Sequence, residues 1–438
     1  MLRRIVEQEL NSFVESDVRK CLIVRGARQV GKTYSVERLA QNERVESFIY
    51  INFLKKPELK DIFAGNLDTD SLILNFSLYM PQAKFLPGKT VLFLDEIQEC
   101  PEAITSLKFW AQDAGYRVIA SGSMLGIDYK RPSSYPVGSI QYVDMYPLSF
   151  REFLWAYGIN DSLIDILHNC FVSRTPVSEP IHKQLLNLLK TYMVVGGMPE
   201  VVQTYVDTHN MAEVDQKQRA ILSDYRYDIA HYAPADDKLK AESCYFSIPD
   251  QLSKDNHKFK YSVVQKGGNS RKFGNSLDWL VSADLAHYCK SVSTVEFPLR
   301  SFANDDNFRL YPSDIGLLVA MYDYALKTAV ITDSTDSIRL GQAKGGLYEA
   351  LIADMLIKNG HKELYFYKND TTKVEIEFLI SAEQGVLPIE VKAGNNRSRS
   401  LDSILKKDEI AYGYKLISGN VGVSDKKISL PLYMAMFI

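Results

Sequence analysis

Residues 26–33 read Gly26-Ala27-Arg28-Gln29-Val30-Gly31-Lys32-Thr33, a full G-x-x-x-x-G-K-[ST] pattern. The pattern suits phosphate chemistry. Its two glycines let the backbone turn tightly, so that successive N–H groups converge on one anion. A helix starting at the end of the loop adds its positive pole at the same place. Lys32 then reaches the β- and γ-phosphates, and Thr33 offers a hydroxyl to Mg²⁺. The loop therefore implies ATP and Mg²⁺ as cofactors, with Lys32 catalytic as well as binding. Asp95 and Glu96 close an apolar run, Val91–Leu94. Asp95 is expected to hold the metal together with Thr33, and Glu96 to polarise the attacking water. Ser121 and Ser123 end a further run beginning at Arg117. They suit either a γ-phosphate sensor or a plain strand-to-turn exit.

Several elements must position these groups. Cys21–Val24 is a short apolar run of the kind found in a buried parallel strand, and the stretch from Tyr34 reads as the helix that follows the loop. Phe48–Asn52 and Val91–Asp95 read as further core strands. Residues 101–114 read as a crossover helix with Leu107 and Trp110 on its apolar side. Strands alternating with helices predict an open parallel α/β sheet, with ligands bound at the carboxyl ends of its strands.

The chain has 438 residues, enough for two or three domains, with 46% hydrophobic residues and a net charge of −3. No overall field draws it to nucleic acid or membrane, so any such affinity must be local. The five scattered cysteines lack zinc-ligand spacing and fit reduced thiols in a cytoplasmic protein. The first residues carry charges within their apolar pattern, unlike a signal peptide. No apolar run is long enough to cross a membrane.

The P-loop, VLFLDEIQ at 91–98, ASGSMLG at 120–126, YPLSFREFL at 146–154, TYMVVGGMPEVV at 191–202 and IEVK at 389–392 together resemble one family. It is an AAA+-superfamily ATPase family of bacteria and archaea. Its members carry a C-terminal domain of uncharacterised function related to PD-(D/E)xK nucleases. The resemblance implies a RecA-like core at 1–150, a helical lid or linker at 151–245, a winged-helix-like region at 246–330 and a restriction-endonuclease-like α/β domain at 331–438. Members commonly carry a Gly-Arg pair just before the PLSF segment. Here Val137-Gly138-Ser139 stands in its place, which leaves Arg131 or Arg226 as substitutes.

Residues 254–272 hold Lys254, Lys258, Lys260, Lys266, Arg271 and Lys272 against one acid, interleaved with aromatic residues. Beside a winged helix this is a candidate DNA contact; otherwise it is a solvated loop. Further on, Glu349 falls on an amphipathic helix, and Glu377, Glu390 and Lys392 on two strands. They match the PD-(D/E)xK arrangement, in which Glu377 and Glu390 would bind a divalent metal, Lys392 would activate water and Glu349 would complete the cluster. Alternating charges on a sheet also simply face solvent. The leading expectation is an ATP-driven switch or motor. The alternatives are an ATP-dependent nuclease and a recruitment module with little hydrolysis. A protein partner or a second copy of the chain would supply the remaining contacts.

Overall fold

The computed structural model describes residues 2–113, 115–122, 136–254, 256–332, 343–392 and 399–438. They form two compact units, Arg3–Tyr146 and, apart from the first two residues, Pro147–Ile438.

The first unit is built on five strands: β1 (Cys21–Arg25), β2 (Ser47–Asn52), β3 (Thr90–Asp95), β4 (Arg117–Ser121) and β5 (Ile140–Asp144). All pair in parallel, in the order β2-β3-β4-β1-β5. The parallel α/β sheet read from the sequence is therefore present. Central strand β3 is buried along its whole length, which explains its unbroken apolar run. The helix Pro101–Gln112 starts on a proline, whose missing N–H costs nothing in the first turn. It buries Leu107 and Trp110, and Trp110 stacks on Phe85 with ring centroids 5.9 Å apart. The register decides what meets at the sheet edge. Asn52 lies opposite Asp95, Asp95 opposite Ser121, and Ser121 opposite Val24. Three polar strand ends are thus set side by side where β1 runs into Gly26.

The second unit begins with helices, among them Phe150–Ala156, Glu179–Val195 and Met211–Tyr232. Ser149 and Glu152 form a reciprocal capping box on the first of these, satisfying two otherwise orphaned N–H groups. The rest of the unit carries an eight-stranded mixed sheet. Its strands are β6 (Ala286–Val292), β7 (Ala303–Pro312), β8 (Leu364–Asn369), β9 (Val374–Ala382), β10 (Gly385–Val391), β11 (Gly413–Ile417), β12 (Gly422–Ser424) and β13 (Lys427–Pro431). Their order is β12-β13-β11-β10-β9-β8-β6-β7. The β6–β7 hairpin joins the later strands because β6 pairs in parallel with β8, from Cys289 opposite Leu364 to Val292 opposite Tyr367. One sheet thus runs across the boundary expected at 330/331.

The Gly196-Gly197 turn has a packing reason. A Cβ on Gly197 would lie 2.1 Å from the Leu148 carbonyl oxygen, and Gly197 N–H donates to Asp314 Oδ2 at 2.6 Å. Around it Lys358 Nζ reaches Asp354 Oδ1 at 2.8 Å and Tyr192 OH at 3.0 Å. Burial raises the Asp354 carboxyl to about 6, with Lys358 pulling the other way. Gly197→Ala is expected to lower stability by about 1–3 kcal/mol, because backbone rather than a flexible side chain must yield. Chemical denaturation checks this; a change under 0.5 kcal/mol would show that the turn relaxes freely.

Candidate functional site

The loop at 26–33 has the geometry of a phosphate cradle. Gly26 adopts φ 145°, and a Cβ there would sit 2.0 Å from the Met145 carbonyl oxygen, so only glycine fits. Gly31 has φ 93° and immediately precedes the helix Lys32–Glu37. Gln29 also takes a left-handed conformation, at φ 64°. Ala27 and Val30 are buried and anchor the loop to the core. Arg28 is half-buried and Gln29 exposed. Lys32 is buried and its Nζ donates to the Gly26 and Ala27 carbonyl oxygens, both at 2.7 Å. The ammonium is therefore already folded over the loop that would hold the phosphates.

Asp95 is the centre of a polar cluster. Its Oδ2 accepts from Thr33 Oγ1 at 3.0 Å, Tyr50 OH at 3.0 Å and Asn52 Nδ2 at 2.9 Å. Its Oδ1 accepts a short hydrogen bond from Ser121 Oγ. Burial pushes the Tyr50 hydroxyl up to about 12, so it stays protonated and able to donate. Four side-chain donors and the Glu96 N–H thus satisfy a carboxylate that is 2% exposed, and the Thr33–Asp95 oxygen pair suits a hard divalent cation. Glu96 follows in a left-handed conformation, φ 53°, and its Oε2 accepts from Gln98 Nε2 at 2.6 Å. Ser121 spends its hydroxyl on Asp95 and orients that carboxylate. Ser123 and Arg131 lie outside the described residues.

Tyr50, Asn52, Gln98 and Arg4 are functional neighbours that sequence reasoning missed. Arg4 donates to the Val30 carbonyl oxygen at 2.8 Å and to that of Tyr146 at 2.7 Å, fixing the back of the loop. The available signal was the polar end of strand β2, one register step from Asp95. No local pattern pointed to Arg4.

In the second unit three of the four expected members of the nuclease-like cluster, Glu377, Glu390 and Lys392, are brought together. Lys392 Nζ stands 2.8 Å from Glu377 Oε1 and 3.6 Å from Glu390 Oε1. Val391 N–H donates to Glu377 Oε2 at 3.1 Å. Burial raises the Glu377 carboxyl to about 7; Lys392 opposes the shift, and Glu349 and Glu390 add to it. Glu390 Oε2 is buried without a hydrogen-bond partner among the described residues. Glu349, on the helix Ala343–Lys358, is engaged elsewhere. Its Oε2 accepts from Arg309 Nη1 at 2.8 Å, and its Oε1 lies 2.9 Å from His257 Nδ1.

Arg309 is the unexpected member. It is 0% exposed, its other terminal nitrogen makes a short bond to Glu375, and its guanidinium lies 4.3 Å from the centre of the Phe366 ring. Burial alone would weaken its charge; Glu349, Tyr311 and Glu375 together outweigh that and hold it protonated. Among the described residues no group of three or more His, Cys, Asp or Glu is arranged to hold a metal. Side-chain cations stand against these carboxylates instead. Phe-Arg-Leu-Tyr in a strand gave the only hint, since an arginine flanked by apolar residues must find a buried partner.

The basic segment is largely exposed. Lys254, Lys260, Lys266, Arg271 and Lys272 face solvent, and Lys258 is half-buried. Arg226, one substitute arginine, is engaged within its own unit: it pairs with Glu242 at 3.2 Å and lies over Phe246.

Residues 18–154 match the AAA domain model AAA_14. That match spans the P-loop and all five strands of the parallel sheet. Beyond it, residues 186–328 and 344–434 match two domains of unknown function, DUF8612 and DUF4143. The chain is 26% identical over 212 residues to the uncharacterized protein MJ1544 of Methanocaldococcus jannaschii. That match covers 47% of this chain and 40% of the relative's length. Among solved structures, the Walker-type ATPase PABY2304 of Pyrococcus abyssi aligns with 73% of this chain and 96% of its own, at a TM-score of 0.42 and 12% identity. The Orc1 protein of Aeropyrum pernix, solved in complex with DNA, aligns with 73% and 92%, at a TM-score of 0.28 and 12% identity. No helix among the described residues is long and apolar enough to cross a membrane.

Proposed function

We propose that the chain is a Mg²⁺-dependent ATP hydrolase whose nucleotide state drives a switch read out by its second unit. One observation carries this reading: Thr33 Oγ1 and Asp95 Oδ2 meet at 3.0 Å beside a lysine already folded over the P-loop. The backbone N–H groups of 26–33 would hold the phosphates. Lys32 would exchange its two carbonyl partners for phosphate oxygens. Thr33 and Asp95 would hold Mg²⁺, which when bound offsets the charge of the β- and γ-phosphates. Tyr50, Asn52 and Ser121 keep Asp95 aimed. Glu96, oriented by Gln98, would accept the proton of the attacking water.

The helices of 238–282 and the β6–β7 hairpin support a winged-helix reading. The helix Lys238–Phe246 is followed by an isolated backbone bond from Phe259 N–H to the Phe308 carbonyl oxygen at 2.9 Å. The turn Tyr261–Val264, the helix Ser270–Ser282 and the hairpin come next. A fold of this kind reads out a partner. The C-terminal carboxylates, with Arg309 and Lys392 on them, support an ion-paired core more than a metal-dependent nuclease. An arginine is missing at 137–139, so basal turnover should be slow and raised by a partner or a second copy of the chain.

Titration with a fluorescent ATP analogue, with and without Mg²⁺, tests the reading. Wild type should bind in the low-micromolar range or tighter, and Lys32→Ala should bind at least about tenfold more weakly, having lost a charge-assisted contact to phosphate. Equal binding by both proteins would refute a P-loop role for Lys32.

A further inference from the structure

The helix Ser270–Ser282 presents a stripe of hydrogen-bonding side chains that the ATPase reading leaves unused. Its inner face buries Phe273, Ser276, Leu277, Trp279 and Leu280. The outer face carries Arg271, Asn275, Asp278 and Ser282, all exposed. Their spacing of four, three and four residues sets them in one line along the helix. Asn269 caps the start of the helix by accepting from Lys272 N–H at 3.1 Å, which fixes the first turn. Tyr288 OH, on β6, donates to Asp278 Oδ1 at 3.0 Å and steadies that carboxylate.

Residues 254–272 carry six cations against one acid, while the stripe itself holds one cation, Arg271, and one acid, Asp278. None of Lys254, Lys258, Lys260, Lys266, Arg271 and Lys272 pairs with a carboxylate among the described residues. Lys272 Nζ donates to Gln265 Oε1, at 2.7 Å, and lies over Phe273. Elsewhere the chain pairs many of its cations, as at Lys217–Glu200 and Lys427–Asp402. The whole chain is slightly acidic, so the excess of cations over residues 254–272, the segment that leads into this helix, is local.

We infer that this face binds duplex DNA, with the Ser270–Ser282 helix in the major groove and Lys254, Lys258, Lys260 and Lys266 on the flanking phosphates. The inference rests on the winged-helix reading of residues 238–312 and does not require ATP turnover. A helix about 10–12 Å across fits the roughly 12 Å major groove of B-DNA. The groove of A-form RNA is too narrow and deep for side chains to read, so DNA is the partner class that fits. Arg271 suits a guanine edge, Asn275 an adenine edge and Asp278 a cytosine amino group. The lysines supply sequence-independent attraction and set the register.

Fluorescence anisotropy of labelled duplex DNA with the full chain tests this, using wild type, Lys32→Ala and the triple variant Lys254→Glu/Lys260→Glu/Lys266→Glu. Wild-type affinity should fall about 10²-fold between about 50 and 200 mM salt, as four phosphate contacts require. The triple variant should bind at least about thirtyfold more weakly and lower the log–log salt slope by about three. Because the three lysines are surface residues, circular dichroism should show an unchanged fold. With no nucleotide added, Lys32→Ala should bind DNA as wild type does, which separates this inference from the nucleotide reading. Absence of wild-type binding at about 50 mM salt would overturn it. So would equal binding of duplex RNA, or indifference to the triple substitution.

Discussion

Glu96→Gln is expected to lower ATP turnover by about 10²–10⁴-fold while leaving ATP affinity within a few-fold of wild type. The substitution keeps the shape of the side chain and removes its ability to take a proton. The left-handed backbone at Glu96, φ 53°, turns its carboxylate away from the line of β3, and Gln98 holds it there at 2.6 Å. A glutamine can still accept from Gln98, so the local geometry should persist. Asp95, with its four side-chain donors, is untouched, and the metal-binding pair with it. Phosphate release in single-turnover conditions, measured beside equilibrium binding, separates chemistry from affinity. Equal turnover in both proteins would remove Glu96 from the reaction. Turnover absent from wild type despite tight binding would favour the recruitment reading, unless adding DNA or raising the protein concentration restores it.

Arg309→Met should destabilise the second unit by about 3–5 kcal/mol. The guanidinium is fully buried and bridges Glu349 on a helix to Glu375 on β9, so its removal strands a buried carboxylate. Methionine fills similar volume, which confines the loss mainly to charge. The double variant Arg309→Met/Glu349→Gln should recover a good part of the loss, because the uncompensated charge is gone. The chain has two units, so unfolding should be followed by probes specific to each. Trp279, in the second unit, can be isolated by replacing Trp110 and Trp155. Recovery absent from the double variant would show that Arg309 acts through packing on Phe366 alone. The same ion pair sets an acid limit. Burial would raise the Glu349 carboxyl; Arg309 and then His257 outweigh it and hold it at about 2, against an ordinary value of 4.5. A depressed folded value gives stabilisation that is full above about 4.5 and is lost as pH falls towards 2. Glu349→Gln should flatten that part of the profile.

The legible parts of the sequence were those in which one short segment carries the whole signal. Gly26–Thr33 needs only its own spacing, and Val91–Asp95 only its own apolar run, so the phosphate loop and the parallel sheet could both be read. Tyr50, Asn52 and Ser121 join Asp95 through strand register, which depends on how separate strands align and leaves no mark within any one of them. Arg309 is a harder case. Its partners lie 40 and 66 residues away, and only the assembled sheet reveals a second cation beside the cluster in which Lys392 was the one expected. The Gly196-Gly197 pair could be read as a turn, but its reason, a carbonyl 2.1 Å from any added Cβ, comes from the distant Leu148.

The pairing of β6 with β8 has a practical consequence for dissecting the chain. A fragment ending near residue 330 would keep the β6–β7 hairpin and lose the strand that covers β6. The backbone groups of Cys289–Val292 would then present a bare edge, flanked by the buried side chains of Cys289 and Val292. Such edges recruit other strands, so the shortened protein should self-associate. A cut at 146/147 respects the two compact units instead, and expression trials that begin at Pro147 offer the cleaner route to the second unit.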